Sequence, residues 1–159
     1  MYCHFYSSPL GRIRLLANDD GLTGLTLPTQ RVDDTVQDDW QVTAEPFIEC
    51  CRQLDAYFAG TLTEFTVPLA PKGTAFQQQV WKALCSVPYG ETCSYKAIAE
   101  AINNPKAVRA VGAANGKNPI AIIVPCHRVI GSNGQLTGYA GGVESKAFLL
   151  KLEGALASS

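Results

Sequence analysis

The chain has 159 residues, 47% of them hydrophobic, and a formal net charge of −1. That is enough apolar material for one generous domain or two small ones, and no run approaches the roughly 18 apolar residues of a membrane span. The near-neutral total conceals a split: residues 1–71 carry four Lys/Arg against ten Asp/Glu, residues 72–159 nine against four.

Such a split suggests two segments with different partners, the basic one a candidate for contact with a polyanion. The first residues lack the basic and then apolar regions of a secretory signal. Six cysteines (3, 50, 51, 85, 93, 126) form neither a disulfide framework nor a paired CxxC zinc pattern. Reduced thiols in a cytoplasmic protein are therefore expected.

The N-terminal stretch reads as strands. YCHFYSS, GRIRLLAN and GLTGLTL are short strand-like runs separated by PLG and DDG, the turns of an antiparallel meander. QRVDDTVQDDW is acidic and aperiodic, as an exposed loop is. PFIECCRQLDAYFAG places Phe47, Cys51, Leu54 and Phe58 at helical spacing, with Pro46 at its start and Gly60 at its end. PLAPKG, residues 68–73, reads as the linker between an N-terminal domain (1–71) and a C-terminal one (72–159). Nothing before residue 72 carries identifiable chemistry.

The second half reads as helices. Thr74 and Gln77 fit a capping box, each side chain satisfying an orphan amide of the first turn. Phe76, Val80, Ala83 and Leu84 make an inward stripe, ended by PYG. Ser94 can cap YKAIAEAI, whose Ala97, Ile98, Ala101 and Ile102 form one face. Asn104-Pro105 predicts the next helix start, running on through KAVRAVGAANG with Val108 and Val111 inward and Arg109 pointing elsewhere. Two short helices joined by a turn, the second carrying Lys106 and Arg109, fit a helix-turn-helix and also an ordinary helical hairpin. The expected fold class is α+β: a small antiparallel sheet plus a helix, then a mostly helical domain with a helix-turn-helix.

The chemistry concentrates in NPIAIIVPCHRVIG, residues 118–131. A branched apolar run ends in a proline and then presents Cys126 beside His127 and Arg128. Thiolate is the reactive form of cysteine, and neighbouring His or Arg favours it by stabilising negative charge. The AIIV run would supply a rigid dry floor. His127 could act as base if a partner on its other ring nitrogen held its tautomer. Glu153, closing SKAFLLKLEG, is the candidate, because a carboxylate at a helix C-terminus opposes the dipole and needs another reason to be there. Two plainer readings stand beside this one: Cys126 as a small core hydrophobe and Glu153 as a solvated helix end.

IVPCHRVIGSNG, preceded by RAVGAANGKNP and followed by TGYAGG and LEG, resembles the O6-alkylguanine-DNA alkyltransferase family, its bacterial members most closely. The likeness covers residues 72–159; earlier it extends only to the general sheet-plus-helix N-terminal domain. It implies DNA repair by direct reversal, with the alkyl group passing irreversibly from O6 of a flipped-out guanine to Cys126, once per molecule and without a cofactor. By the same resemblance His127 deprotonates Cys126 through a water and Glu153 orients His127. Asn118 is the hinge between recognition helix and active-site segment. Arg109 is the finger that fills the gap left by the flipped nucleotide, and Tyr95 crowds the adjoining phosphate and reaches the guanine. Lys106 and its neighbours position phosphates. Carbonyls of Cys126 and Val129 accept from the guanine amino group, and the loop with Tyr139 and Ala140 closes over O6.

Ala140 stands where some relatives have serine; if the backbone amide makes that contact, a larger alkyl group fits. The implied partner is double-stranded DNA entered from the minor groove, bound by a monomer able to cluster along it, with O4-alkylthymine left open as a second substrate. No metal is expected, since Cys3-His4 with Cys50-Cys51 lacks structural-zinc spacing. Three other classes remain. A multiple-turnover cysteine hydrolase would use the same Cys–His–carboxylate set but needs an oxyanion hole and a second, water-dependent step. A helix-turn-helix transcription regulator would explain the basic half but not PCHR. A non-catalytic damage-binding relative would replace the cysteine.

Overall fold

Alternating side chains build the first layer. In the computed structural model, which describes residues 1–28, 40–131 and 142–155, strands β1 (Tyr2–Ser8), β2 (Gly11–Asn18) and β3 (Gly21–Thr26) form the expected antiparallel meander. Ile13, Leu15 and Ala17 point inward at every second position of β2. The Asn18 side chain closes the β2–β3 turn, accepting from the amides of Asp20 (2.8 Å) and Gly21 (3.1 Å). A short β4 (Gln41–Val42), too brief for periodicity to announce, pairs parallel with β1 and completes the order β3-β2-β1-β4. The acidic loop expected before it falls, except for Trp40, outside the described residues.

A 3-10 turn, Glu45–Phe47, leads into α1 (Ile48–Phe58). Its buried apolar stripe is Phe47, Cys50, Leu54 and Tyr57; Cys51 and Phe58, expected inward, are only partly buried. Spacing gave the period, but the position of the sheet decides which side of the helix is covered.

The linker is no loose tether. Leu22 N–H donates to Pro68 O (2.9 Å) and Ala70 N–H to Leu22 O (2.8 Å), so PLAPKG is pinned to β3. Further along the same strand, Leu25 N–H donates to Pro119 O (2.9 Å) and Ala121 N–H to Leu25 O (3.1 Å). A strand edge that would otherwise present unpaired backbone groups thus holds both the linker and the segment leading to Cys126.

In the second half, α2 (Ala75–Leu84) begins at the expected capping box: Thr74 N–H donates to Gln77 Oε1 (2.9 Å) and Gln77 N–H to Thr74 Oγ1 (3.1 Å). It buries Val80, Trp81 and Leu84, with Phe76 and Ala83 at the margin. Trp81, absent from the expected stripe, donates its indole N–H to Ala114 O (2.9 Å). Ser94 caps α3 (Tyr95–Ala101), accepting from Ala97 N–H (3.1 Å). That helix turns Ile98 and Ala99 inward, whereas Ala97 and Ala101 of the expected face are exposed. Helix α4 (Val108–Gly116) starts later than Asn104-Pro105 suggests, because Asn104 O takes the Ala107 amide (3.0 Å) in a separate turn. Val108 is consequently exposed, while Val111 is buried.

Strands β5 (Cys93–Ser94) and β6 (Val129–Ile130) pair in parallel, and α5 (Val143–Leu152) packs beside them. One cluster of buried apolar side chains runs through both halves, from Ile13, Leu25 and Leu54 to Val80, Ile98, Ile120, Val129 and Leu149. The fold class is α+β. Among the described residues no helix is long and apolar enough to cross a membrane, no group of three or more His, Cys, Asp or Glu could hold a metal ion, and none of the six cysteines is joined in a disulfide.

Candidate active site

Residues 118–125 are a buried turn rather than a strand. The Asn118 side chain clamps it: Oδ1 accepts from Ile120 N–H (3.0 Å), and Nδ2 donates to Val124 O (2.8 Å) and, more weakly, to Ile120 O (3.4 Å). Inside the clamp Ile122 has φ +71° and is 1% exposed. The left-handed region costs an L-residue about 1–2 kcal/mol, more for a β-branched one. The expected dry floor is therefore real but strained, held in place by Asn118 and by the Leu25 backbone of β3.

The turn delivers Cys126, His127 and Arg128 as a single 3-10 turn, all three buried. Glu153, the C-cap of α5, reaches them with a fully buried side chain. His127 Nε2 lies 2.7 Å from Glu153 Oε2. Arg128 grips the same carboxylate with two bonds (Nε to Oε1 2.8 Å, Nη2 to Oε2 3.1 Å) and donates Nη1 to Val87 O (2.7 Å). Tyr57 of α1 donates its hydroxyl to Oε2 at 2.6 Å. The solvated-end reading of Glu153 is thereby excluded. Arg128 is thus committed to Glu153 and Val87.

The electrostatics follow from this packing. Burial pushes the Glu153 carboxyl up, but hydrogen bonds from His127, Arg128 and Tyr57 outweigh it and hold the group down at about 2. Burial pushes His127 below its ordinary range, with Arg128 and Lys146 acting the same way against the pull of Glu153. Because Arg128 already balances the carboxylate, the imidazole gains little by charging. An ionised carboxylate only accepts, so Nε2 carries the His127 proton. That leaves Nδ1 as the basic atom, buried and without a hydrogen-bond partner among the described residues.

The other expected residues are placed as follows. Tyr95 opens α3, half-buried against α4, where a Cβ at Gly112 would stand 4.0 Å from its ring. Its hydroxyl is raised by burial and then by the charge of Cys126, so ring and thiol share one electrostatic neighbourhood. Lys106 and Arg109 are exposed, apart from the buried cluster. Val129 is buried, its carbonyl accepting from Lys146 Nζ (2.6 Å), and Cys126 O faces Asn115 Nδ2 (3.5 Å). Tyr139 and Ala140 lie outside the described residues.

Three polar groups here have no counterpart in the sequence reading: Tyr57, Asn115 and the fully buried Lys146. A signal existed for Lys146. Lys146, Leu149, Leu150 and Glu153 are spaced i, i+3, i+4, i+7, which puts both charges on the leucine face of α5.

Comparison with known proteins gives a consistent result. Two family models match: "6-O-methylguanine DNA methyltransferase, ribonuclease-like domain" over residues 1–71 and "6-O-methylguanine DNA methyltransferase, DNA binding domain" over residues 75–155. A methylated-DNA–protein-cysteine methyltransferase of Methanosarcina acetivorans is 56% identical over 154 residues, covering 97% of this chain and 99% of that one. One from Mycobacterium leprae is 52% identical over 156 residues, covering 96% and 92%. Among solved structures, Mycobacterium tuberculosis OGT in complex with DNA superposes with a TM-score of 0.90 at 51% identity, covering 98% of this chain and 94% of that one.

Proposed function

This chain belongs to the methylated-DNA–protein-cysteine methyltransferase family, which repairs DNA by alkyl transfer to a protein cysteine, and we propose that Cys126 is the acceptor and O6-alkylguanine the substrate. The observation that carries this reading is the buried His127–Glu153 hydrogen bond directly after Cys126. His127, kept neutral by its surroundings, takes the Cys126 proton through a water. The thiolate sulfur attacks the alkyl carbon, the S–C bond forms as the C–O6 bond breaks, and the electron pair goes to O6. The released guanine takes up a proton, with the Tyr95 hydroxyl as donor. A thioether has no good leaving group, so each molecule reacts once.

An alkylated base is out of reach inside a duplex, and extruding it costs about a few kcal/mol. Exposed Arg109 fills the gap, and exposed Lys106 positions the backbone without reading sequence. Ala110, Ala113 and Gly116 leave the outer face of α4 low enough to approach the DNA closely, here from the minor groove rather than the major groove favoured by most helix-turn-helix proteins. Asn118 sets the geometry between α4 and the acceptor, and Tyr139 and Ala140 are assigned to contact with the O6 side of the substrate. The protein acts as a cytoplasmic monomer that can cluster along DNA.

Mass spectrometry after mixing with O6-methylguanine duplex tests this directly: one methyl is gained on Cys126, and Cys126→Ser gains none. Sustained turnover of an ester would instead support the hydrolase, and one strongly preferred operator in a random-sequence selection the regulator. Arg109→Ala should lose rate on duplex while reacting almost normally with free O6-benzylguanine, which needs no extrusion. Equal slowing on both would remove the finger role.

A further inference from the structure

We infer that Tyr57, contributed by the N-terminal half, is a positioning residue that sets the basicity of His127 through Glu153. The inference rests on the role proposed above for Cys126, His127 and Glu153, and its first readout does not depend on that role.

Tyr57 and His127 converge on one atom. Glu153 Oε2 accepts from Tyr57 Oη (2.6 Å), His127 Nε2 (2.7 Å) and Arg128 Nη2 (3.1 Å), while Oε1 accepts from Arg128 Nε (2.8 Å). The carboxylate is thus met by protein donors on both oxygens, with no exposed side-chain surface. The phenol has no slack: Tyr57 is 0% exposed, and its ring packs against Phe58 and Phe65 (both 5.3 Å between centroids) and edge-on to Tyr89 (6.4 Å). A phenylalanine would fill the same space. The hydroxyl is the part that packing does not require, and its partner is the active-site carboxylate. Its acidity is strongly suppressed by burial and by Glu153, so it remains a donor.

Donors that share an oxygen compete for its charge. With the Tyr57 hydroxyl in place, Oε2 draws less strongly on the His127 proton; without it, the Glu153–His127 pair binds protons more tightly. Among the described residues, the titratable and charged groups bearing on this pair are Tyr57 from α1, Tyr89 from the turn after α2, Arg128 from the 3-10 turn and Lys146 from α5, with Cys85 beside Arg128 and Cys126 beside Lys146. Of these, Tyr57 alone comes from the half that otherwise contributes packing and a strand edge.

The first readout is proton NMR on the whole protein. In the unsubstituted chain the Tyr57 hydroxyl proton and the His127 Nε2 proton point at the same oxygen, so a cross-peak joins them; its absence in the folded protein overturns the inference. Tyr57→Phe keeps the ring contacts, and its His127 Nε2 proton moves downfield as the remaining bond strengthens. His4, the only other histidine and a residue of β1, is the internal reference. An unmoved His127 resonance overturns the inference. None of this requires DNA.

The second readout is the pH profile of methyl transfer. For Tyr57→Phe the acid limb moves to higher pH, so transfer falls about threefold to tenfold at pH 5.5, the scale of one ordinary hydrogen bond, and less than about twofold at pH 8. The same fall at both pH values, or a limb displaced to lower pH, overturns it. Failure of the unsubstituted protein to methylate Cys126 would instead remove the function and leave the NMR result standing.

Discussion

The two halves of the molecule bury different things. Among the described residues before 72 the buried set is apolar except for the Tyr57 hydroxyl and for Gln53, whose amide is satisfied by Thr66 on both sides (2.8 and 2.9 Å). After residue 72 it includes Asn115, Asn118, His127, Arg128, Ser145, Lys146 and Glu153. Holding an ion out of water still costs about several kcal/mol after relaxation, and packing alone gives no reason to accept that. On the function proposed above, the first half stabilises and the second reacts. The strand edge at Leu25 and the hydroxyl of Tyr57 are where the first reaches the second.

The largest test of that division is Glu153→Ala. It strands Arg128 and His127 without their carboxylate and should cost about 3–5 kcal/mol in urea unfolding while abolishing transfer. A loss under about 1 kcal/mol would mean the cluster contributes nothing to the fold. Acid should expose the same cluster. The Glu153 carboxyl sits at about 2 when folded against 4.5 as the unperturbed value, so its contribution is complete above 4.5 and disappears as pH falls toward 2. His127 is depressed below 6.5, so the unfolded imidazole charges first and stability already declines below pH 6.5. Together they should remove about 3 kcal/mol or more between pH 7 and 2, and Glu153→Gln should flatten the lower part of that decline.

Leu54→Ala, in the apolar half, sharpens the contrast from the other side. It should cost about 2–4 kcal/mol through the cavity it leaves and leave the rate per folded molecule unchanged. A parallel loss of rate would show that stability and reaction are not separable here. Thr74→Ala is the smallest step, about 1 kcal/mol for one arm of a capping box, with no effect on the pH profile of transfer.

What the sequence revealed follows the same line. The turns of the meander, the Thr74–Gln77 box and the Ser94 cap are local, set by neighbours within four residues, and all three are present. The His127–Glu153 contact beside Cys126 was legible because a cysteine and a histidine are adjacent and the carboxylate sits where a helix end should avoid it. Tyr57 was not, because a tyrosine in an amphipathic helix looks like core until the opposite half of the chain brings a carboxylate to its hydroxyl. Lys146 was hidden for a different reason: lysine is among the residues least often buried, so its place on the leucine face went unread. The late start of α4 depended on whether Asn104 capped a helix or closed its own turn, a choice sequence alone leaves balanced.

Glu153 also has a meaning in time. It follows His127 by 26 residues, so at a synthesis rate of about 5–20 residues per second the growing chain holds its cysteine motif for about one to five seconds before the carboxylate exists. Tyr57 is already made by then, its hydroxyl waiting without a partner. On the function proposed above, the last turn of α5 therefore acts as the molecule's ignition: a chain that stops short of it carries Cys126 beside a histidine that no carboxylate yet aligns.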